Sequence, residues 1–336
     1  MKAAVPQILT PDQAAALEVL SQGSRFLLSG HVKPDGDCLG SQAALARVLE
    51  KLGKEVWIVN PDPVEERYEY LSREVRFRTW SGGDLPTHDV EVFLDFCELS
   101  RTGPLEKALA AHPSKKVIVD HHLFHGTPWW QAAFVDSRAA ATGVLVHRIA
   151  RALGVELDSV AALGVFTALV TDTGWFKYSN TDAETFGIAS ELVAAGCDPS
   201  RVFDSIYQRA PRSEPRGIGR ALSRLEYFAD GRLAVVDLPR AAAGEEDLAD
   251  TDEVLDILRA VRAVEVVLFL REQKDGSTKL SARSKTEFDV NQLARRFGGG
   301  GHAKASGATL AGPLADAREK LIAGALEQLG VHAASS

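Results

Sequence analysis

The chain has 336 residues, 45% of them hydrophobic and 25% charged, an ordinary globular composition long enough for two domains. No apolar run nears the roughly 18 residues that cross a bilayer, and three scattered cysteines (Cys38, Cys97, Cys197) exclude a disulfide framework. A net charge of −8 argues against a protein that coats long nucleic acid.

Met1-Lys2-Ala3-Ala4-Val5-Pro6 lacks the apolar core of a signal peptide, so a cytoplasmic protein is expected. Thr10-Pro11-Asp12-Gln13 reads as a capping box that opens a first helix. Phe26 to Gly30 reads as a strand and Ser41 to Leu52 as an amphipathic helix. Val56 to Asn60, Val90 to Phe96 and Lys116 to Asp120 read as further strands, and Ala140 to Leu153, Ser159 to Val170 and Asp182 to Ala195 as helices. Such alternation predicts an α/β fold with a largely parallel sheet, whose ligands sit beyond the C-terminal ends of the strands. Prolines and charges from Ala210 to Gly217 mark an interdomain connection that continues as a helix from Ile218 to Phe228. The expected domains are therefore 1–208 and 231–336, joined by a linker or connecting helix over 209–230. The second starts with a strand at Leu233 and continues with a helix near Asp252 to Arg262 and a strand from Val264 to Leu270. A turn at Lys274-Asp275-Gly276-Ser277 leads to a strand from Thr278 to Arg283, a helix, and the run Gly298 to Gly301.

The chemistry gathers at strand ends. The first strand leads into His31-Val32-Lys33-Pro34-Asp35-Gly36-Asp37, where Pro34 and Gly36 predict a turn aiming both carboxylates into one pocket. Val92-Phe93-Leu94 ends on Asp95, Val117-Ile118-Val119 ends on Asp120-His121-His122, and Asp172 follows a helix in Thr171-Asp172-Thr173-Gly174. Each alone is a cap or a structural residue. Together on one side of one sheet they offer oxygen and imidazole donors without a thiolate cluster. That donor set suits manganese, with magnesium as the alternative, over structural zinc. Four Asp and two His are candidate ligands, and two divalent ions would balance the four carboxylates; structural salt bridging is the competing reading.

Arg271 to Lys304 holds eight Lys or Arg against four acids, leaving −12 on the rest of the chain. Such a local patch points to capture of a small anion or to a solvated helix face. Within it, Gly299, Gly300 and Gly301 allow backbone N–H groups to approach a phosphate, and Arg283 and His302 can add charge-assisted hydrogen bonds. A flexible loop is the alternative. Phe176 and Tyr178 could stack on a base or pack in the core.

His31-x-x-x-Asp35-x-Asp37, Asp95, Asp120-His121-His122 and Asp172 resemble the four motifs of the DHH phosphoesterase superfamily. Thr171 to Thr181 is similar to the fourth motif of its nanoRNase and pAp-phosphatase branch. Gly299-Gly300-Gly301-His302 with Ser306-Gly307 resembles the glycine-rich motif of the domain that follows the DHH core. Cys97 departs from the pattern, standing where relatives often carry Ser or Ala.

The resemblance implies a parallel-sheet DHH domain and a smaller α/β DHH-associated domain with a cleft between them. His31, Asp35 and Asp95 would hold one metal ion, and Asp37, Asp95, His121 and Asp172 the second, with Asp95 bridging. It gives His122 a phosphate or leaving-group contact and Asp120 the task of orienting the imidazoles. Arg283, Ser284, Gly299, Gly300, Gly301 and His302 are the implied substrate-binding residues. The implied reaction is hydrolysis of very short RNA, such as pApA, to mononucleotides, with removal of the 3′-phosphate from adenosine 3′,5′-bisphosphate (pAp). The implied partners are those nucleotides, with no membrane and with a homodimer allowed. A phosphodiesterase of cyclic or linear di-adenylate, a RecJ-like exonuclease and a nucleotide-binding sensor are the rivals.

Overall fold

The computed structural model describes residues 9–240 and 252–331; the first six residues, read above for a leader, lie outside them. Among the described residues no helix is long and apolar enough to cross a membrane. The chain divides into two compact units, Met1–Arg209 and Ala210–Ser336.

The first unit runs α1 (Pro11–Gln22), β1 (Arg25–Ser29), α2 (Gly36–Lys51), β2 (Glu55–Asn60), α3 (Glu69–Ser72), β3 (Phe77–Thr79), β4 (Val90–Leu94), α4 (Glu106–Ala111), β5 (Lys115–Asp120), β6 (Ala132–Val135), α5 (Thr142–Ala152), α6 (Ser159–Asp172), α7 (Ala183–Ala194) and α8 (Pro199–Tyr207). Its six strands pair in the order β3-β2-β1-β4-β5-β6, all parallel. Both faces are buried, which is why the strands read as unbroken apolar runs. Phe26, Leu28, Val92 and Val119 pack into one core, while Leu27, Phe93 and Ile118 pack into another. Strand order reverses between β1 and β4, so the loops after these strands diverge and leave the crevice where such sheets bind ligands.

Three expectations shift. The helix expected from Ser41 starts at Gly36, because the Asp35 carboxylate caps it, accepting from the N–H groups of Asp37 and Cys38. The predicted turn is thus a helix start. Asp172 belongs to the last turn of α6 and does not follow it. The short strand β6 and helix α8 had no counterpart in the sequence reading.

The second unit holds α9 (Glu214–Leu222), β7 (Leu225–Phe228), β8 (Leu233–Leu238), α10 (Asp252–Arg259), β9 (Val266–Glu272), β10 (Thr278–Ser284), α11 (Val290–Arg295), β11 (Gly300–His302), β12 (Ala305–Leu310) and α12 (Leu314–Gln328). Its sheet has the order β11-β12-β10-β9-β8-β7 and is antiparallel except between β8 and β9. The helix expected from Ile218 to Phe228 stops at Leu222. Leu225 to Phe228 pair with β8 across a turn that places Ala229, Asp230 and Gly231 at positive φ.

Candidate metal centre

Gly30 follows β1, and its amide donates to the Asn60 side chain. A Cβ there would stand 2.3 Å from the Cys38 sulfur, so only glycine lets the chain pass. His31 follows, buried, with Nδ1 donating to the Val32 carbonyl at 2.9 Å. That bond fixes the tautomer and presents Nε2 to Asp95 Oδ2 at 3.5 Å and Asp35 Oδ1 at 4.0 Å. Burial holds the His31 imidazole below its ordinary pKa, favouring the neutral, ligating form.

Asp37 lies inside the first turn of α2 and is buried. Its carboxylate accepts the N–H groups of Thr142 (2.7 Å) and Gly143 (3.0 Å) and the Ser41 hydroxyl (3.1 Å). The start of α5 therefore cradles this anion, as helix N-termini do. Asp95 sits one residue beyond β4 with φ of +72°, a conformation that Asp tolerates better than most side chains. Thr142 Oγ1 donates to its Oδ1 at 3.0 Å.

His121 repeats the logic of His31. Its Nδ1 donates to the Ala139 carbonyl at 3.1 Å, which leaves Nε2 as an acceptor. That Nε2 is buried without a hydrogen bond and stands 3.6 Å from each of Asp37 Oδ2, Asp95 Oδ1 and Asp172 Oδ2. Four electron-pair donors facing one another at this spacing call for a cation among them. The carboxylates tell the same story. Burial first, then Asp37, push Asp172 up to about 7 although a third of its side chain is exposed. Burial, followed by its carboxylate neighbours, also raises Asp95, and burial raises Asp37 against the pull of His121.

The expected ligands thus fall into two groups whose donor atoms lie within 4.8 Å of one another: His31, Asp35 and Asp95, and Asp37, His121 and Asp172. The Asp95 carboxylate faces both, Oδ2 toward His31 and Oδ1 toward His121. Asp35 and Asp37 stand on either side of a helix start, one in each group, and both face Asp95 across the same pocket. Both groups could hold a metal ion, and their oxygen and imidazole donors suit a hard or borderline divalent one.

His122 stands beside them, with its N–H and Nδ1 on Asp120 Oδ1 at 3.1 and 2.8 Å. The bond to Asp120 raises the His122 pKa, so the ring tends to keep a proton. Burial alone would raise Asp120, but the His122 and Cys97 hydrogen bonds outweigh it and hold Asp120 below the usual carboxylate range. Cys97, the departure in the motif, donates to Asp120 Oδ2 at 2.9 Å.

Two sets of residues escaped the sequence reading. Thr142, Gly143 and Ala139 work largely through the backbone, and only Thr142-Gly143 at a helix start hinted at it. Gly40 and Gly164 let α2 and α6 touch, so that Asp37 and Asp172 meet. Of the aromatic pair, Phe176 packs on Phe166 and Phe186, whereas Tyr178 is exposed with its ring beneath Gly174.

In the second unit, β10, β12 and β11 align Arg283, Ala305 and His302 in one row. Arg283 and His302 are two strands apart, roughly 10 Å. Ser284, expected to meet substrate, is buried and donates to the Phe288 carbonyl at 2.7 Å, a loop clasp. Gly299 and Gly301 are demanded by packing: a Cβ on either would come within 2.1 Å of the Gly307 oxygen or 2.6 Å of the Ala305 oxygen. Gly300 faces open space. The run is a sheet edge in part, not the open loop that its composition suggests. The basic patch is also smaller than its count, since Arg296 pairs with Glu327, and Lys285 and Lys304 donate to backbone carbonyls.

The chain has matches among known proteins. Residues 25–196 match the DHH family, N-terminal domain, and residues 233–330 match the DHHA1 domain. The chain is 34% identical to the bifunctional oligoribonuclease and PAP phosphatase NrnA of Thermus thermophilus, over 90% of this chain and 89% of that protein. It is 23% identical to the Bacillus subtilis protein of the same name, over 88% and 92%. Among solved structures, an exopolyphosphatase-related protein from Bacteroides fragilis matches with a TM-score of 0.88 and 25% identity, over 96% of this chain and 98% of that one. Exonuclease RecJ bound to manganese shares the fold at a TM-score of 0.51 and 15% identity, each chain covered to 96%. With its motif residues gathered at the sheet's switch point and both domain models matched in order, this chain belongs to the DHH family.

Proposed function

We propose that the chain is a metal-dependent phosphoesterase that hydrolyses short oligoribonucleotides to mononucleotides and removes the 3′-phosphate of pAp. The observation that carries this reading is the His121 Nε2 without a hydrogen bond among three carboxylates, beside an Asp95 that faces two ligand groups. The activities named for the Thermus and Bacillus relatives support the substrate class. His31, Asp35 and Asp95 would hold one ion and Asp37, Asp95, His121 and Asp172 a second, with manganese favoured and magnesium the alternative. Two such ions supply the charge that activates a water and stabilises the leaving oxygen.

The chain's own residues do the rest. The α5 amides hold the Asp37 carboxylate in one orientation, and the Val32 and Ala139 carbonyls hold the two imidazoles in theirs. His122, whose Nδ1 is held by Asp120, turns Nε2 toward a phosphate oxygen or the departing oxygen, and the Asp120 bond favours the protonated ring that can donate there. Arg283 and His302 bind the substrate's further phosphate, and the backbone at Gly300 lets it approach. Three free thiols suit the reduced cytoplasm as its place of work.

Turnover of pAp, pApA and a long RNA, measured side by side with manganese, tests the proposal. Release of AMP from pAp and pApA, fast relative to the long RNA, is expected. Binding of these nucleotides without turnover would make the chain a sensor, and preference for the long RNA would make it an exonuclease of another kind.

A further inference from the structure

Cys97 stands where the chain, having bent at Asp95 just beyond β4, passes the end of β5. The parallel pairing of Leu94 with Val119 brings the two segments together. The Cys97 backbone is fixed from the other side. Its carbonyl accepts the Trp129 indole N–H at 2.7 Å, and Trp129 stands edge-on to Phe93 of β4 with ring centroids 5.0 Å apart. Only 2% of Cys97 is exposed, and Asp120, the last residue of β5, is fully buried.

The Cys97 thiol donates to Asp120 Oδ2 at 2.9 Å, while both His122 contacts, from its backbone N–H and from Nδ1, fall on Oδ1. Among the described residues no other donor reaches this carboxylate, so one oxygen belongs to the thiol and the other to the histidine. Charge settles the direction of the sulfur bond. A thiolate beside a buried carboxylate would repel it, so the sulfur keeps its proton and Asp120 is the acceptor. Torsion about the Cβ–Cγ bond of an aspartate is soft, and donors on both oxygens fix the plane of the carboxylate. Without the thiol, Oδ2 would be a buried acceptor lacking a partner. The carboxylate could then turn, and the His122 ring bound to it would turn as well.

We propose that Cys97 is a positioning residue for hydrolysis: its thiol locks the Asp120 carboxylate, and through it the His122 ring, in the orientation that turns Nε2 toward the substrate. This rests on the role given to His122 above. A space-filling role makes a different prediction. Serine and alanine are both smaller than cysteine, but only serine can donate to Asp120. A thiol that merely fills space is replaced equally by either, whereas a positioning thiol is replaced by serine alone.

The test is steady-state turnover of pAp by the full chain at saturating manganese, with bound manganese from elemental analysis. It compares Cys97→Ala, Cys97→Ser, His122→Ala and the double variant Cys97→Ala/His122→Ala with the wild type. Cys97→Ala is expected to lower kcat by about tenfold, the scale of one lost hydrogen bond to a charged group, with KM and manganese content unchanged. Cys97→Ser should keep turnover close to wild type. In the His122→Ala background, Cys97→Ala should add little, because the ring that it would misorient is gone. Failure of the His122 reading shows separately, as wild-type turnover in His122→Ala, and takes the proposal with it. With His122→Ala slow, three results would each overturn the proposal alone. They are wild-type kcat or reduced manganese content in Cys97→Ala, a Cys97→Ser as slow as Cys97→Ala, and an undiminished further loss in the double variant.

Discussion

Gly40 of α2 and Gly164 of α6 stand backbone against backbone: a Cβ on Gly40 would lie 2.4 Å from the Gly164 oxygen, and one on Gly164 2.6 Å from the Gly40 oxygen. Each helix carries one carboxylate of the group around His121, Asp37 at the start of α2 and Asp172 at the end of α6. Their close approach sets the distance across which an ion is shared. Gly164→Val should cost about 1–3 kcal/mol of stability by overpacking and weaken manganese binding as well. Urea midpoints and manganese titration check both. A variant as stable and as manganese-avid as wild type would detach the helix crossing from the site.

Asp95→Ala should abolish hydrolysis while leaving the chain folded, because one carboxylate serves both ligand groups and lies outside the strand. Circular dichroism and phosphate release decide it. Activity above a few per cent of wild type at saturating manganese would refute the bridging role.

His121 and His122 are adjacent in sequence but differ in surroundings. His121→Ala should lower bound metal, whereas His122→Ala should keep it and slow turnover by about 10²–10⁴-fold, the usual scale of a lost general acid. Elemental analysis separates them, and the reverse pattern would exchange their roles.

Acidity offers a fourth handle. Asp172, at about 7, and the raised Asp37 and Asp95 bind protons more readily in the folded chain than in the unfolded one. In the metal-free protein these groups therefore favour folding at low pH, and their contribution falls as pH rises from about 4 to about 7. Metal competes with those protons. Manganese should raise the melting temperature more at about pH 8 than at about pH 5. An equal or larger shift at the lower pH would contradict the carboxylate cage.

Arg283→Ala or His302→Ala should weaken binding of every short substrate by about 1.5–3 kcal/mol, the range of a charged hydrogen bond, with metal content unchanged. The salt dependence should be shallow, near that for two or three phosphates at about 0.7 per phosphate. Calorimetric titration with pAp at several salt concentrations measures both. Loss of metal in either variant would place these residues elsewhere.

The readable and the hidden parts of this protein differ in kind. Asp95 and Asp120 stood out because each ends an apolar run that had to be a buried strand, and a charge at that point has few structural uses. The six strands of the first sheet were mostly legible for the same reason, but β3 and β6 are short edges with little apolar signal. Thr142 and Gly143 stayed hidden because what they give Asp37 is backbone N–H, which no side chain advertises, across 105 and 106 positions of sequence. Gly299 and Gly301 were visible as glycines, yet their need is steric contact with β12, which only pairing reveals.

The positive φ of Asp95 constrains how this lineage can drift. Few residues besides Gly, Asn and Asp occupy that region at low cost. Replacement by a bulky or branched side chain would burden the backbone as well as remove the charge. Asn and Gly codons each lie one nucleotide from an Asp codon, so the cheapest inactivating steps are also the ones that spare the architecture. Descendants that have traded turnover for mere nucleotide binding should therefore show Asn or Gly at this position within an otherwise intact sheet.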